Sequence, residues 1–212
     1  MIIQMFTVGK LFTNCYIVAC EETREAILID PGFDSISEAE KIFKFIEEKA
    51  LKLKYTVNTH GHPDHVCGNG IVKKQFQAPI LVHEKDAFML GAFGKVIAKF
   101  FGFNSSSPSA DTLLKDRDYV KFGKITLKVM HTPGHSPGSI SLVGENEVFT
   151  GDTLFAGSIG RADLPQGSES DMKESLKKLA NLPDAFKVYP GHGPITTIGE
   201  EKQSNPFLIV KW

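Results

Sequence analysis

Thr59-His60-Gly61-His62-Pro63-Asp64-His65 places three histidines and one aspartate within six consecutive positions, in a chain that holds seven histidines in 212 residues. The run before it, Lys54–Asn58, is β-prone and carries Thr56 and Val57. Gly61 and Pro63 interrupt the histidines, so they do not lie on a helix as i, i+4 ligands. The stretch reads as a strand end opening into a tight loop, with a helix starting near Asp64. Such a loop can aim His60 and His62 at one point and turn Asp64 and His65 toward a second point nearby. Nitrogen and carboxylate donors without sulfur suit zinc, with iron or manganese as alternatives. A polar surface loop has no need of so many imidazoles, so chance clustering is the weaker explanation.

The rest of the composition bounds what this loop can serve. A chain of this length supports one large core, and residues 1–212 are expected to form one domain. The hydrophobic share of 42% and charged share of 23% are those of a globular protein. A net charge of −1 gives no broad field for nucleic acid or an anionic membrane. Cys15, Cys20 and Cys67 are an odd set without Cys-x-x-Cys spacing, which argues against a disulfide framework and suits a reducing cytoplasm. The opening Met1-Ile-Ile-Gln-Met-Phe6 has no basic flank or long apolar core, so no signal peptide is expected. No apolar run approaches the length of a membrane span.

Outward from the histidine loop, the chain alternates strands and helices. Ile2–Val8 and Asn14–Ala19 read as strands split by Gly9-Lys10. Ala26–Ile29 is a buried strand stopping at Asp30-Pro31-Gly32, which leaves the Asp30 carboxylate at a strand end. Ser37–Ala50 has helical spacing with Ser35 or Ser37 available as cap. Asp64–Gln77 is helical but interrupted by Gly68 and Gly70, and Pro79–Val82 is the next strand. Residues 84–111 are rich in phenylalanine, from Phe88 to Phe103, and then pass into Asn104-Ser-Ser-Ser-Pro-Ser-Ala110. One helix or two short ones followed by a loose loop is expected. The segment is either a lid over a site or core-packing helix, and the packing role is favoured.

Tyr119–Phe122 and Ile125–Met130 form a hairpin signal around Gly123-Lys124. His131-Thr-Pro-Gly-His135-Ser-Pro-Gly138 cannot be helical. Ser139–Val143 and Glu147–Thr150 make another hairpin, closed by Gly151-Asp152. Phe155–Gly167 reads as a Gly-rich loop holding Arg161 and Asp163. Asp171–Ala180 is a helix, and Phe186–Tyr189 a strand ending at Pro190-Gly-His192. A short helix around Ile198–Gln203 follows. A weak duplication is visible: Ala26-Ile-Leu-Ile-Asp30 resembles Val148-Phe-Thr-Gly-Asp152, and each precedes a helix and then a strand ending in histidine, His60 or His192. Two such halves suggest two sheets face to face, with helices outside and a site along one shared edge.

The candidate ligands are therefore His60, His62, Asp64, His65, His135, Asp152 and His192, all in turns after strands. A closed structural zinc needs four donors; these are enough for two metals with a carboxylate between them. His60-x-His62-x-Asp64-His65, Thr132-Pro-Gly-His135, Gly151-Asp152 and Gly191-His192 together resemble, in order and spacing, the motifs of the metallo-β-lactamase superfamily. The resemblance implies an α+β fold, a four-layer αββα sandwich. It implies that His60, His62 and His135 hold one metal, that Asp64, His65 and His192 hold a second, and that Asp152 bridges them. Asp30 matches the superfamily's first aspartate, which stands behind the ligands.

Within that superfamily, Gly151-Asp152 through Gly160-Arg161-Ala-Asp163-Leu-Pro resembles the small hydrolases related to hydroxyacylglutathione hydrolase (glyoxalase II). The resemblance implies thioester hydrolysis of an acyl-thiol, without the C-terminal helical domain and tyrosine that help hold glutathione in glyoxalase II; Gly193-Pro194 stands where those enzymes place an acidic residue and the tyrosine. Two divalent ions roughly 3.5–4 Å apart can share a water, lower its pKa toward about 7 and so supply hydroxide at neutral pH. Asp64 is the candidate to orient it, and no Ser or Cys nucleophile is required. Arg161 is either a substrate-carboxylate clamp or the partner of Asp163. His83 and His131 are read as supporting groups and Cys67 as a packed thiol. The competing readings are a mononuclear iron persulfide dioxygenase of the same fold, a lactone or β-lactam hydrolase, a nuclease disfavoured by charge, and a non-catalytic metal-binding domain.

Overall fold

The computed structural model describes residues 1–209; Val210, Lys211 and Trp212 lie outside the described residues. Its first sheet grows from β1 (Ile2–Val8), β2 (Thr13–Ala19) and β3 (Glu25–Ile29), which pair antiparallel in sequence. Helix α1 (Ile36–Glu48) starts at the Ser35 cap, whose hydroxyl accepts from the Glu38 N–H. It returns the chain so that β4 (Lys52–Val57) lies parallel to β3. Next come α2 (Pro63–Val66) and α3 (Asn69–Phe76), separated at Cys67-Gly68. Gly70 lies inside α3 and does not break it, so of the two expected interruptions only Gly68 falls between helices. Strand β5 (Ile80–His83) adds parallel to β4.

The phenylalanine-rich segment folds as a 3-10 turn at Glu84–Met89 and helix α4 (Gly91–Phe100). The loop after it is not loose. The Asp34 carboxylate accepts from the Asn104 N–H at 2.9 Å and the Ser105 N–H at 2.6 Å, and the Asn69 amide donates to Ser107 Oγ at 2.8 Å. It leads into an unforeseen strand, β6 (Thr112–Leu114), parallel to β5 at the sheet edge. Two of its three residues are exposed, so alternation could not announce it.

The second sheet contains β7 (Tyr119–Phe122), β8 (Ile125–His131), β9 (Ile140–Val143) and β10 (Glu147–Gly151), all antiparallel. The expected loop after Asp152 contains a small ribbon, β11 (Leu154–Phe155) against β12 (Ser158–Ile159). Helix α5 (Glu169–Ala180) then returns the chain to β13 (Lys187–Pro190), parallel to β10. Strand β14 (Thr196–Thr197), α6 (Ile198–Ser204) and α7 (Pro206–Ile209) close the order. The sheets run β1-β2-β3-β4-β5-β6 and β14-β13-β10-β9-β8-β7.

Strand parity builds the layers. In β2, Tyr16 and Val18 face the other sheet, where they meet Phe122, Leu127, Phe149 and Tyr189. Cys15, Ile17 and Ala19 face outward onto Ala39, Ile42 and Ile46 of α1 and Val72 of α3. On the far side, Val148 and Val188 meet Met172, Leu176 and Leu179 of α5. Both faces of each sheet centre are covered, which is why strands such as β3 read as continuous apolar runs. The result is an αββα sandwich. Among the described residues, no helix is long and apolar enough to cross a membrane.

Candidate metal centre

Every ligand-bearing turn opens at one end of this sandwich. The turn after β4 is held by Asn58, whose amide donates to the His65 carbonyl at 3.2 Å. Pro63 begins α2 at a position where a missing N–H costs nothing, and the short helix carries Asp64 and His65 to the second point. The β8–β9 turn supplies His135, the end of β10 supplies Asp152, and the turn after β13 supplies His192. That last turn is tied back to the first sheet: Asn14 N–H donates to the Gly191 carbonyl at 2.7 Å and the Tyr16 hydroxyl to the Pro190 carbonyl at 2.6 Å. Gly191 leaves room for the cluster: a Cβ there would stand 2.1 Å from Asp152 Oδ1 and 2.9 Å from the His65 ring.

The donor atoms form three overlapping groups: His60, His62 and His135; His60, His65 and Asp152; Asp64, His65 and His192. His62 Nδ1 lies 2.8 Å from His135 Nε2, and His65 Nε2 lies 3.3 Å from His192 Nε2. His192 Nε2 is 3.3 Å from Asp64 Oδ2 and 3.5 Å from Asp152 Oδ2, and Asp152 Oδ2 is also 3.5 Å from His135 Nε2. Donors on one tetrahedral zinc stand roughly 3.3 Å apart, so these separations are those of side chains converging on cations. Among the described residues three buried side-chain atoms have no hydrogen-bond partner, and two of them, His60 Nε2 and Asp152 Oδ1, lie in this cluster. Orphaned buried polar atoms are costly, and a metal ion facing them removes that cost. All seven candidates from the sequence are thus brought together, and the residues present fit a two-metal site.

The electrostatics point the same way. Burial pushes His60 well below its ordinary value, His62 to about 4 and His135 to about 3, so these imidazoles are neutral and keep a lone pair at pH 7. Burial also opposes charge on His65, but Asp152, Asp64 and Asp30 outweigh it and raise His65 to about 10. Burial lifts Asp152 to about 6, against the attraction of His65 and His192. Where three carboxylates surround one imidazole, a positive charge is required. A metal ion can supply it in place of a proton.

Behind the ligands, Asp30 accepts from Thr59 N–H at 2.7 Å and Thr59 Oγ1 at 2.6 Å, and lies 2.9 Å from His65 Nδ1. It does so from a left-handed backbone, φ +50°, which aspartate tolerates better than most residues. His135 Nδ1 meets the Arg161 carbonyl at 2.8 Å. These partners fix which ring nitrogen faces the metal point. The structure therefore brings the backbone of Arg161 to the cluster, while its guanidinium forks onto Asp163 with both contacts at 2.9 Å. His83 and His131 stack on each other, with centroids 4.3 Å apart, and belong to none of the ligand groups. Cys67 is buried and donates to the Phe33 carbonyl.

One residue was not singled out from the sequence. Asp86 is fully buried and accepts from Gly61 N–H at 2.8 Å, Gly138 N–H at 2.6 Å and Ser136 Oγ at 2.6 Å. It joins the turn carrying His60 and His62 to the turn carrying His135. Gly138 leaves room for it: a Cβ there would lie 2.5 Å from Asp86 Oδ1. Its place directly after β5 is the available signal, since the other site residues also follow strands.

Comparison with known proteins agrees with this geometry. The chain is 37% identical over 219 residues to the hydroxyacylglutathione hydrolase GloC of Haemophilus influenzae, covering 99% of each protein. It is 32% identical to the mitochondrial persulfide dioxygenase ETHE1 of Bos taurus, covering 98% of this chain and 75% of that one. The crystal structure of TTHA1623 in a di-iron-bound form superposes with a TM-score of 0.85 at 35% identity, over 97% of this chain and 100% of that one. The family profile described as the metallo-beta-lactamase superfamily matches residues 8–192. That span holds both sheets' ligand turns, from Thr59–His65 to His192, and with them the chain belongs to the metallo-beta-lactamase superfamily.

Proposed function

We propose that this protein is a dinuclear metal-dependent hydrolase that cleaves thioesters, of the hydroxyacyl-glutathione type or a related acyl-thiol. The observation that carries this is the convergence of seven donors in overlapping groups at the base of one cavity, whose lining includes His62, Asp64, His135, Asp152 and His192. His60, His62 and His135 would hold one ion, and Asp64, His65 and His192 the other, with Asp152 reaching both groups. Zinc suits this donor set, and iron or manganese is compatible with it.

Two divalent ions held by these residues would supply a lowered pKa for a bound water and polarisation of the acyl carbonyl. The chain's residues do the rest. Asp64 stays ionised, because His65, His192 and His62 outweigh the effect of its burial. Its carboxylate would therefore be able to accept a hydrogen bond from the attacking water and orient it. Asp30 and the Arg161 carbonyl hold His65 and His135 in place, so the donors need not reorganise during reaction. In this reading Arg161 acts through its carbonyl, its guanidinium being engaged by Asp163.

The likeness to GloC supports thioester chemistry. The likeness to a persulfide dioxygenase supplies the rival, and the complete Asp64–His65–His192 group favours the dinuclear reading over it. The test is metal analysis with turnover. Two ions per chain and thioester hydrolysis that is lost in Asp152→Ala, with the circular dichroism spectrum retained, are expected. One tightly held iron per chain, with oxygen uptake on persulfides, would overturn the proposal.

A further inference from the structure

The cavity above the metal point has a volume of about 340 Å³. Its floor is the cluster of histidines and aspartates. Its walls are hydrocarbon: Leu11 from the β1–β2 turn, Pro63, Phe101 and Phe103 after α4, and Leu164. Among the described residues, Lys10 is the one ammonium or guanidinium group lining it, and it is turned toward protein partners. Its Nζ donates to the Gly102 carbonyl, lies 3.7 Å from the Asp34 carboxylate and sits 5.3 Å from the centre of the Phe103 ring. Among the described residues, the walls thus offer no cation besides Lys10 to a carboxylate and no hydroxyl or amide side chain to a hydroxy acid.

The apolar surface extends past the mouth. Leu11 is 56% exposed and Phe101 62%. Phe101 packs edge-on against Phe100, which is 83% exposed. Beside Leu11, Phe12 is 73% exposed and is held in the left-handed region at φ +57°, a costly conformation for a bulky side chain and one that clusters at ligand sites. Aromatic rings left in water next to a polar catalytic floor are a wall awaiting a ligand. An occupant that uses both floor and wall must carry a reacting group at one end and hydrocarbon next to it.

We infer that this wall is an acyl-chain subsite, and that the preferred substrates are thioesters of unbranched or aromatic apolar acids rather than of short hydroxy acids. This inference rests on the proposed thioester hydrolysis and specifies its substrate. A volume of this size accommodates about ten water-sized groups, so a medium-length chain fills it. Each methylene moved from water onto the wall is worth roughly a fourfold gain in kcat/KM until the cavity is full.

The experiment compares one thiol carrier acylated with lactate, acetate, butanoate, hexanoate, octanoate and phenylacetate, using metal-loaded enzyme. In parallel, calorimetry measures binding of the matching straight-chain carboxylates. Expected are a rise in kcat/KM of about 100-fold or more from acetyl to hexanoyl, four methylenes, and a parallel rise in carboxylate affinity. Phe101→Ala and Leu11→Ala should flatten both slopes with metal content unchanged. Leu113→Ala, a similarly exposed residue on the edge strand β6, should leave them as they are. Thioester hydrolysis that is flat or falling with chain length, or fastest for lactate, overturns the inference while keeping the parent reading. If no thioester is turned over, the parent reading fails. Carboxylate affinity then decides the subsite alone: no dependence on chain length, or a dependence that Phe101→Ala and Leu11→Ala leave intact, overturns it.

Discussion

At the scale of single residues, Asp86 separates what holds the metal point from what touches it. Its carboxylate satisfies two backbone N–H groups and one hydroxyl, on two turns that no strand pairing joins. Asp86→Ala leaves those buried donors unmet, at a cost of about 3 kcal/mol. Asp86→Asn keeps the volume but turns an amide N–H₂ toward a donor. Supporting groups of this kind change metal affinity by about 10–100-fold. Chelator competition on Asp86→Asn should show that loss for one ion of the two, the one held by His60, His62 and His135. Equal weakening of both ions, or of neither, would contradict this placement. The seven donors were legible because they come in dense, glycine- and proline-framed motifs. Asp86 was not, because the phenylalanines that follow it dominate the reading of residues 84–111, and its partners lie 25 and 52 positions away.

At the scale of elements, helices and central strands follow from local pattern. Ser35 caps α1, Ser168 caps α5, and the apolar runs become β2, β3 and β10. The order of the 104–107 segment does not follow, since it depends on Asp34, seventy positions earlier in the chain. Asp34 should therefore be the anchor that keeps α4 and the Phe101–Phe103 wall against the body of the molecule. Its burial opposes ionisation, but the N–H groups of Asn104 and Ser105, the Ser105 hydroxyl and Lys10 outweigh this and lower its pKa. A lowered folded-state pKa gives stability that is complete above the unfolded value of about 4 and fades as pH falls through the folded value. Asp34→Ala should cost about 2–3 kcal/mol at pH 7, or about 5–10 °C in Tm. The Tm gap between the two proteins should narrow below pH 4. A gap constant from pH 7 to pH 3 would mean that the carboxylate's charge is not what orders the segment.

At the scale of the whole molecule, the two halves repeat one device. Strand β3, helix α1 and parallel strand β4 are matched by β10, α5 and β13, and the carboxylates Asp30 and Asp152 stand at equivalent strand ends. That repetition was visible in the sequence. What it could not reveal is how the halves are turned toward each other, because the contact between Tyr16, Phe149 and Tyr189 is set by packing across the sheets and not by any local pattern. The metal point is built on that contact: His60, His62, Asp64 and His65 come from one sheet, and His135, Asp152 and His192 from the other. Bound ions would therefore act as cross-links between sheets. An ion that binds only the folded state, at a free concentration one hundred times its Kd, adds about 2.7 kcal/mol. For a chain of this size that is about 5–10 °C in Tm per ion. Chelation should lower Tm by up to twice that amount, and His192→Ala should abolish only one of the two increments. Hydrogen exchange should then show the 58–66 and 132–138 backbone losing protection together on metal removal, although they belong to different sheets. A metal-free protein with unchanged Tm, or one in which a single sheet's turn opens while the other stays protected, would show that the ions do not join the halves.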